Sequence, residues 1–292
     1  MDRARVLRGL LDTKQLLPVP GVYEALSAKA AWYSGFKTLY MTGYGTAASY
    51  GYPDFGLLTM TEMLENLRRV SDAVDIPIIV DGDTGYGNQV NVYRTVREFE
   101  RAGAAAIQLE DQTWPKRCGH MEGKQVIEAE EMVGKVKAAV DARTDPDTVL
   151  VIRTDAIATH GFEEAILRGH LYEEAGADVL FIEAPTSEEQ LRRIPQQFST
   201  PCLINMALPY PGLSFKVLQE IGYHIALYPL ATVIGALDGC IRMCKQLLTD
   251  GRMEDVEKWP FDLEGLNEFI GIEKYREIEK RFTSRSVKGR EE

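Results

Sequence analysis

From Asp111 to His120 the chain reads Asp-Gln-Thr-Trp-Pro-Lys-Arg-Cys-Gly-His. The thiol of Cys118 stands among Lys116, Arg117 and His120, with Gly119 beside it. Neighbouring cations stabilise a thiolate, so Cys118 can move a proton or attack as a nucleophile. The same cations can hold an anionic substrate. A basic surface loop with an incidental cysteine has the same composition, and the acidic segments upstream weigh against that bland reading. Asp81, Asp83 and Glu110 make an oxygen-rich cluster that repels itself unless it is protonated or neutralised by a cation. Hard oxygen ligands that leave room for water and substrate suit Mg2+, with Mn2+ the alternative. Turn formation accounts for Asp83, which precedes Thr84-Gly85, but accounts poorly for Asp81. Asp54, in Pro53-Asp54-Phe55-Gly56, can join this shell, although on its own it reads as a turn residue.

These residues need a scaffold that brings them to one place. Short apolar runs alternate with amphipathic stretches, and the pattern predicts strands at Leu16–Val19, Thr38–Met41, Ile76–Val80, Ala105–Leu109, Val149–Ile152, Val179–Ile182, Cys202–Ile204 and His224–Tyr228. Helical patterns fall at Thr61–Val74, Asn88–Ala102, Ala129–Ala142, Glu163–Ala175, Glu188–Arg193 and Gly212–Ile221, and further helices at Ala231–Thr249 and Pro260–Phe282. Eight strands each followed by a helix make an α/β fold, a (β/α)8 TIM-type barrel. Such a barrel builds its active site at the C-terminal ends of its strands. That end collects Thr42-Gly43-Tyr44-Gly45, Asp81-Gly82-Asp83, Glu110-Asp111, Arg153-Thr154-Asp155, Glu183 and Asn205. Gly85-Tyr86-Gly87 fits neither standard phosphate-loop spacing, and His160, His170 and His224 stand alone as structural or surface residues.

The 292 residues are expected to form a single barrel domain, with 231–292 a helical extension used in assembly and a frayed tail from Ser284. The net charge of -11 argues against nucleic acid as a partner and leaves room for a local cationic cluster. The four cysteines form no CxxC pair, which favours a reducing cytoplasm; Cys240 and Cys244 read as core packing in a helix. The opening segment is an amphipathic helix rather than a signal peptide, and no apolar run approaches the roughly 18–20 residues of a membrane span.

With these residues assembled, the chain resembles the isocitrate lyase/phosphoenolpyruvate mutase superfamily from about Pro18 to Leu230. The resemblance rests on Tyr40-Met41-Thr42-Gly43, Pro53-Asp54-Phe55-Gly56, Val80-Asp81-Gly82-Asp83-Thr84-Gly85-Tyr86-Gly87, Leu109-Glu110-Asp111-Gln112, Lys116-Arg117-Cys118-Gly119-His120, Arg153-Thr154-Asp155-Ala156 and Tyr228-Pro229-Leu230. The cysteine loop resembles that of the methylisocitrate lyase, oxaloacetate hydrolase and carboxyphosphonoenolpyruvate mutase branch. The resemblance implies a Mg2+-dependent enzyme that makes or consumes a stabilised enolate of a small 2-oxo or 2-hydroxy acid. It implies that Asp81 contacts the metal and that Asp83, Asp54 and Glu110 hold it or its waters. Arg153 and backbone donors from Thr42, Gly43 and Tyr44 would bind the 2-oxo-acid fragment, with Glu183 and Asn205 lining the pocket. Cys118 would protonate the departing fragment, helped by Lys116, Arg117 and His120, while Gly119 would bind substrate from the loop that closes over it. Tyr40 is a candidate base for the 2-hydroxyl. The family barrel often exchanges its terminal helix between subunits, which implies a homotetramer.

The sequence departs from the methylisocitrate lyase pattern at the distal end of the substrate. Asn205 is followed by Met206-Ala207-Leu208-Pro209-Tyr210 where those lyases carry an acidic element. Ile234 stands where they carry an arginine for the far carboxylates, and Asp262–Ile272 supplies no replacement. A tricarboxylate would leave a carboxylate unpaired in a closed site, which is costly. A smaller or more apolar substrate is therefore expected, a C4 oxo-acid or an alkyl-substituted malate. The competing readings are a carboxyphosphonoenolpyruvate-type phosphonomutase and a non-catalytic relative that binds 2-oxo acids.

Overall fold

A computed structural model describes residues 2–119, 121, 123–207, 213–252 and 261–283. His120, Leu208, Pro209, Tyr210, Gly212, Pro260 and the segment from Ser284, on which expectations were placed, lie outside the described residues. The chain divides into two compact units, Met1–Ala236 and Leu237–Glu292.

The first unit is the barrel. Its strands are β1 (Leu17–Val22), β2 (Leu39–Met41), β3 (Ile78–Asp81), β4 (Ala106–Glu110), β5 (Val149–Thr154), β6 (Val179–Ile182), β7 (Cys202–Asn205) and β8 (Ile225–Tyr228). They run parallel in sequence order, and β1 closes on β8 in the register Leu17↔Ile225. The helices are α1 (Arg3–Asp12), α2 (Ala25–Tyr33), α3 (Gly43–Ser49), α4 (Met60–Ala73), α5 (Gln89–Arg101), α6 (Ala129–Ala142), α7 (Ala156–His160), α8 (Phe162–Ala175), α9 (Glu188–Gln197), α10 (Phe215–Ile221) and the start of α11 (Ala231–Asp250). The expected (β/α)8 architecture is the one observed.

Strand pleating sorts the buried residues into two clusters, because alternate side chains face opposite sides of a sheet. One set, including Leu39, Met41, Ile78, Val80, Ile107, Leu150 and Ile152, packs outward against the helices. The other, including Val19, Tyr40, Ile79, Val151, Phe181, Leu203, Ile225 and Leu227, fills the barrel. Leu7 and Leu11 of α1 join that inner cluster. Arg8 fastens α1 to the backbone oxygens of Pro146, Asp147 and Thr148 ahead of β5, and to Asp178 ahead of β6. The N-terminal mouth of the barrel is thus sealed by α1, and the opposite end is left for chemistry.

Strands β3, β4, β5 and β7 run further than their apolar runs predicted, through Asp81, Glu110, Thr154 and Asn205. Parallel ladders continue past the last apolar residue, and the inward parity of Ile79 carries on to Asp81, that of Val151 to Arg153 and that of Leu203 to Asn205. Asp81, Glu110, Arg153 and Asn205 therefore belong to rigid strand ends rather than to loops.

The second unit contains the remainder of α11, then α12 (Leu263–Ile270) and α13 (Ile272–Phe282). The helix expected over Pro260–Phe282 is broken at Gly271, whose φ of 96° ends α12 in a left-handed cap. Cys240 and Cys244 are exposed on α11, not packed in a core as their apolar surroundings suggested. Among the described residues, no helix is long and apolar enough to cross a membrane.

Candidate active site

A cavity of about 260 Å3 opens at the C-terminal end of the strands. Its wall contains Tyr40, Thr42, Tyr44, Asp54, Asp81, Lys116, Arg117, Cys118, Gly119, Arg153 and Asn205. The rest is apolar: Met121, Phe181, Ala207, Leu227, Pro229 and Leu230. Residues spread from 40 to 230 in sequence are gathered here by barrel closure.

Asp81 is held from three directions. Its Oδ1 accepts from the backbone N–H of Asp83 at 3.1 Å and from Gln108 Nε2 at 3.3 Å, and its Oδ2 accepts from the N–H of Gly43 at 3.1 Å. Gly43 was expected to offer its N–H to the substrate, but Asp81 engages it. Thr42 caps α3, with its hydroxyl accepting from the N–H of Gly45 at 3.2 Å. The Tyr40 hydroxyl donates to Gln108 Oε1 at 2.8 Å, and burial, reinforced by Asp81, pushes its ionisation well above the ordinary range for a phenol. A phenol in that state is a donor that orients Gln108 and through it Asp81, which argues against Tyr40 as the base.

Lys116, expected to help the thiol, is paired with the acidic cluster. Its ammonium lies 2.6 Å from Asp54 Oδ1 and 2.8 Å from Asp83 Oδ1, so it partly neutralises the acidic cluster. Burial works against its charge, but Asp83, Asp54, Asp81 and Glu110 outweigh that and hold it firmly protonated. Even so, burial raises Asp83 to about 7, opposed by Lys116 and assisted by Asp81 and Asp54. Glu110 is likewise pushed well above the carboxylate range by burial, against the pull of Arg153 and Lys116. Its Oε1 is buried with no hydrogen-bond partner among the described residues. One ammonium is thus too little for this cluster, and the all-oxygen donor set fits an additional hard cation. Among the described residues no three His, Cys, Asp or Glu side chains converge enough to hold a metal by themselves. Mg2+ retains several waters and needs only one or two carboxylates, so this arrangement suits it better than a dedicated cage would.

Arg153 forms the cationic wall. Its Nε lies 2.8 Å from Asp155 Oδ2, its Nη2 2.9 Å from Asp155 Oδ1 and its Nη1 3.3 Å from Glu183 Oε2. The guanidinium stands 5.0 Å over the ring of Phe181. Burial of Asp155 is overridden by Arg153 and Lys124, which bring its carboxyl down to about 2. Glu183, expected to line the pocket, lies behind Arg153 and accepts from Asn205 Nδ2 at 3.2 Å. It acts on the site through those two residues. Asn205 itself reaches the cavity.

The cysteine loop is tied down at several points. Gln112 brackets Arg117, accepting from its N–H at 3.0 Å and donating to its carbonyl at 2.8 Å. The N–H of Cys118 donates to the Asp54 carbonyl at 3.2 Å, and the Arg117 guanidinium lies 5.7 Å over Phe55. The loop around Asp54 and the loop around Cys118 therefore meet at the cavity rim. Sequence reasoning assigned no role to Gln108, Gln112, Phe181, Leu227 or Lys124. Strand parity marks Gln108, Phe181 and Leu227 as inward-facing and Gln112 falls in a quoted motif, whereas nothing in the sequence signals Lys124.

Asp111 follows Glu110 but has the opposite parity. It is buried, accepting from Thr154 Oγ1 at 2.7 Å, the Asp155 N–H at 2.9 Å, Arg168 Nη1 at 3.1 Å and the Tyr172 hydroxyl at 2.8 Å. Its carboxylate buttresses the start of the Asp155 segment from outside the barrel.

Comparison with known proteins places this geometry in a family. The phosphoenolpyruvate phosphomutase family matches residues 7–248. The chain is 45% identical over 287 residues to a 2,3-dimethylmalate lyase of Eubacterium barkeri, covering 97% of this chain and 99% of that protein. It is 40% identical over 288 residues to a 2-methylisocitrate lyase of Aeropyrum pernix, covering 98% and 92%. Among solved structures, oxaloacetate acetylhydrolase in complex with 3,3-difluorooxalacetate superposes with a TM-score of 0.91 at 34% identity, covering 98% of this chain and 99% of that one. Phosphonopyruvate hydrolase in complex with oxalate and Mg2+ superposes at 0.88 with 32% identity, covering 97% and 99%. The chain belongs to the phosphoenolpyruvate phosphomutase family and is a lyase-type enzyme of the isocitrate lyase/phosphoenolpyruvate mutase superfamily.

Proposed function

We propose that this enzyme is a Mg2+-dependent carbon–carbon lyase acting on a small 2-hydroxy dicarboxylate, an alkyl-substituted malate. The observation that carries the reading is the mixed lining of the cavity: Arg153, Cys118, Asp54 and Asp81 supply charge and a thiol, while Met121, Phe181, Ala207, Leu227, Pro229 and Leu230 supply apolar surface. Arg153 is suited to a carboxylate, because a guanidinium offers planar paired donors. The apolar lining suits alkyl substituents, and a third carboxylate set against it would go unpaired. The similarity to a 2,3-dimethylmalate lyase supports the same choice.

In the proposed reaction the 2-hydroxyl passes its proton to a carboxylate of the Asp81, Asp83 and Glu110 cluster, and C2 becomes the carbonyl of a 2-oxo acid. The C2–C3 bond breaks, and its electron pair passes to the departing carboxylate fragment as an enolate. Cys118 supplies the proton that this fragment takes up at C3. Mg2+, when bound beside Asp81 with Asp83, Asp54 and Glu110 holding it or its waters, would stabilise negative charge developing on oxygen. Arg153 binds the 2-oxo-acid end, Asn205 and Thr42 orient it, and the 116–121 loop excludes water. His120 is proposed to assist Cys118 on the strength of the motif alone.

A second reading is hydrolysis of oxaloacetate to oxalate and acetate, supported by the similarity to oxaloacetate acetylhydrolase. Proton NMR of the protein with Mg2+ and oxaloacetate, 2-methylisocitrate, 2,3-dimethylmalate or 2-methylmalate separates the two. Pyruvate from an alkylmalate, abolished by EDTA, is the expected result. Oxalate plus acetate establishes the hydrolase, and efficient cleavage of 2-methylisocitrate overturns the substrate choice.

We further propose that residues 231–292 serve assembly into a homotetramer. Leu237, Ile241 and Leu248 of α11, Leu263 and Ile270 of α12 and Tyr275 and Phe282 of α13 are exposed in the single chain, which supports a partner surface.

A further inference from the structure

Lys124 is a buried cation with no role in the reading above. Its ammonium donates to the carbonyl of Gly119, next to Cys118, and lies 3.0 Å from Asp155 Oδ1. The same Asp155 oxygen accepts from Arg153 Nη2 at 2.9 Å. Gly119 in turn packs directly on the cationic wall: a Cβ there would stand 2.2 Å from Arg153 Nη2 and 3.0 Å from Glu183. One ammonium therefore joins the loop that carries the thiol to the carboxylate that orients the guanidinium. We propose that Lys124 is a positioning residue, a latch that holds Cys118 over the cavity and keeps Asp155 set against Arg153.

The physical case rests on burial. The Lys124 side chain is 3% exposed and that of Asp155 is fully buried, so water cannot substitute for the lost partner. Charge-assisted bonds in such surroundings are the strong ones. Without the ammonium, the Gly119 carbonyl would keep no charged donor among the described residues, and a solvated, open loop would gain relative to the closed one. Loop position and guanidinium orientation are thus coupled through a single side chain.

The test reads loop position through the thiol itself and does not depend on turnover. Iodoacetamide labelling of Cys118 is followed by peptide mass spectrometry, at the high-pH plateau where the thiol is fully ionised. Each Cys118 rate is referred to the parent protein under the same conditions, and buried Cys202 reports unfolding. Lys124→Met should speed Cys118 labelling on the order of tenfold or more relative to the parent protein. Lys124→Arg, which keeps the charge and donors, should stay nearer the parent rate. Gly119→Ala should raise the rate from the other side of the same contact, and the double variant should add little to either. If Cys202 becomes labelled in Lys124→Met, that variant has lost its fold and Gly119→Ala decides. An unchanged Cys118 rate in folded Lys124→Met, or full additivity in the double variant, overturns the proposal. The consequence for catalysis rests on the lyase reading: kcat should fall about 100-fold with a smaller change in KM. Absence of any turnover in the parent protein would sink the lyase reading and leave the labelling result standing.

Discussion

The thiol of Cys118 and the guanidinium of Arg153 face one cavity but do different work. Arg153 is locked by Asp155 and Glu183, which suits it to the proposed part of a fixed anion receptor. Cys118 rides on a loop and is the only thiol lining the cavity among the described residues. Cys118→Ser should therefore lower kcat by about 100- to 10,000-fold, the range for loss of a positioned proton donor. Oxalate, a stand-in for the 2-oxo-acid fragment, should still bind with nearly unchanged affinity by calorimetry. Equal loss of binding and turnover would show that the thiol holds substrate rather than delivering a proton.

At the level of elements, the short helix α3 is what makes Asp81 rigid. Thr42 caps it, and the turn presses the Gly43 N–H onto Asp81 Oδ2. A Cβ at Gly43 would stand 2.7 Å from that oxygen, so the position demands glycine for close approach rather than for backbone freedom. Gly43→Ala should leave the barrel folded and weaken Mg2+ binding roughly 10- to 100-fold, as loss of a supporting contact to a metal ligand does; titration calorimetry reads it directly. The element α3 was not legible in Gly43-Tyr44-Gly45-Thr46, because glycine disfavours helix and the stretch is too short for a period to show. Long amphipathic α6 was read at its observed bounds, since its apolar face repeats over several turns.

For the whole molecule, the buried charges set its acid stability. Asp155 has an ordinary value of 3.8 and is lowered to about 2 in the folded protein. A lowered carboxylate contributes stability that is present above the unfolded value and lost as pH falls through the folded one. Asp155→Asn leaves Arg153 and Lys124 without their shared carboxylate and should cost about 3–5 kcal/mol near pH 7. The gap in Tm between parent and variant should stay level from neutrality down to about pH 4 and narrow only below it. A gap that closes between pH 7 and 5 would show that another group governs the pair. Assembly is the second property at this scale. Leu248 is 88% exposed in the single chain, and Leu248→Glu should shift sedimentation from tetramer towards smaller species. A parent protein that sediments as a monomer would end the assembly proposal.

The amino-acid sequence by itself determined the barrel, because alternating apolar periods of strand and helix are local and recur around the closed sheet. It also determined the polar residues at the strand ends, since Asp81, Glu110, Arg153 and Asn205 each follow an apolar run directly. It did not determine partners. Lys116 reads as a helper of the thiol next to it in sequence, yet its long side chain reaches Asp54 and Asp83 on other segments. Gly43 reads as a substrate donor until its N–H is seen on Asp81, and Lys124 carries no motif at all. Sequence neighbours share a strand or a loop, but charges in a low-dielectric interior pair with whatever opposite charge the closed barrel brings within reach. Only the tertiary structure decides that distance.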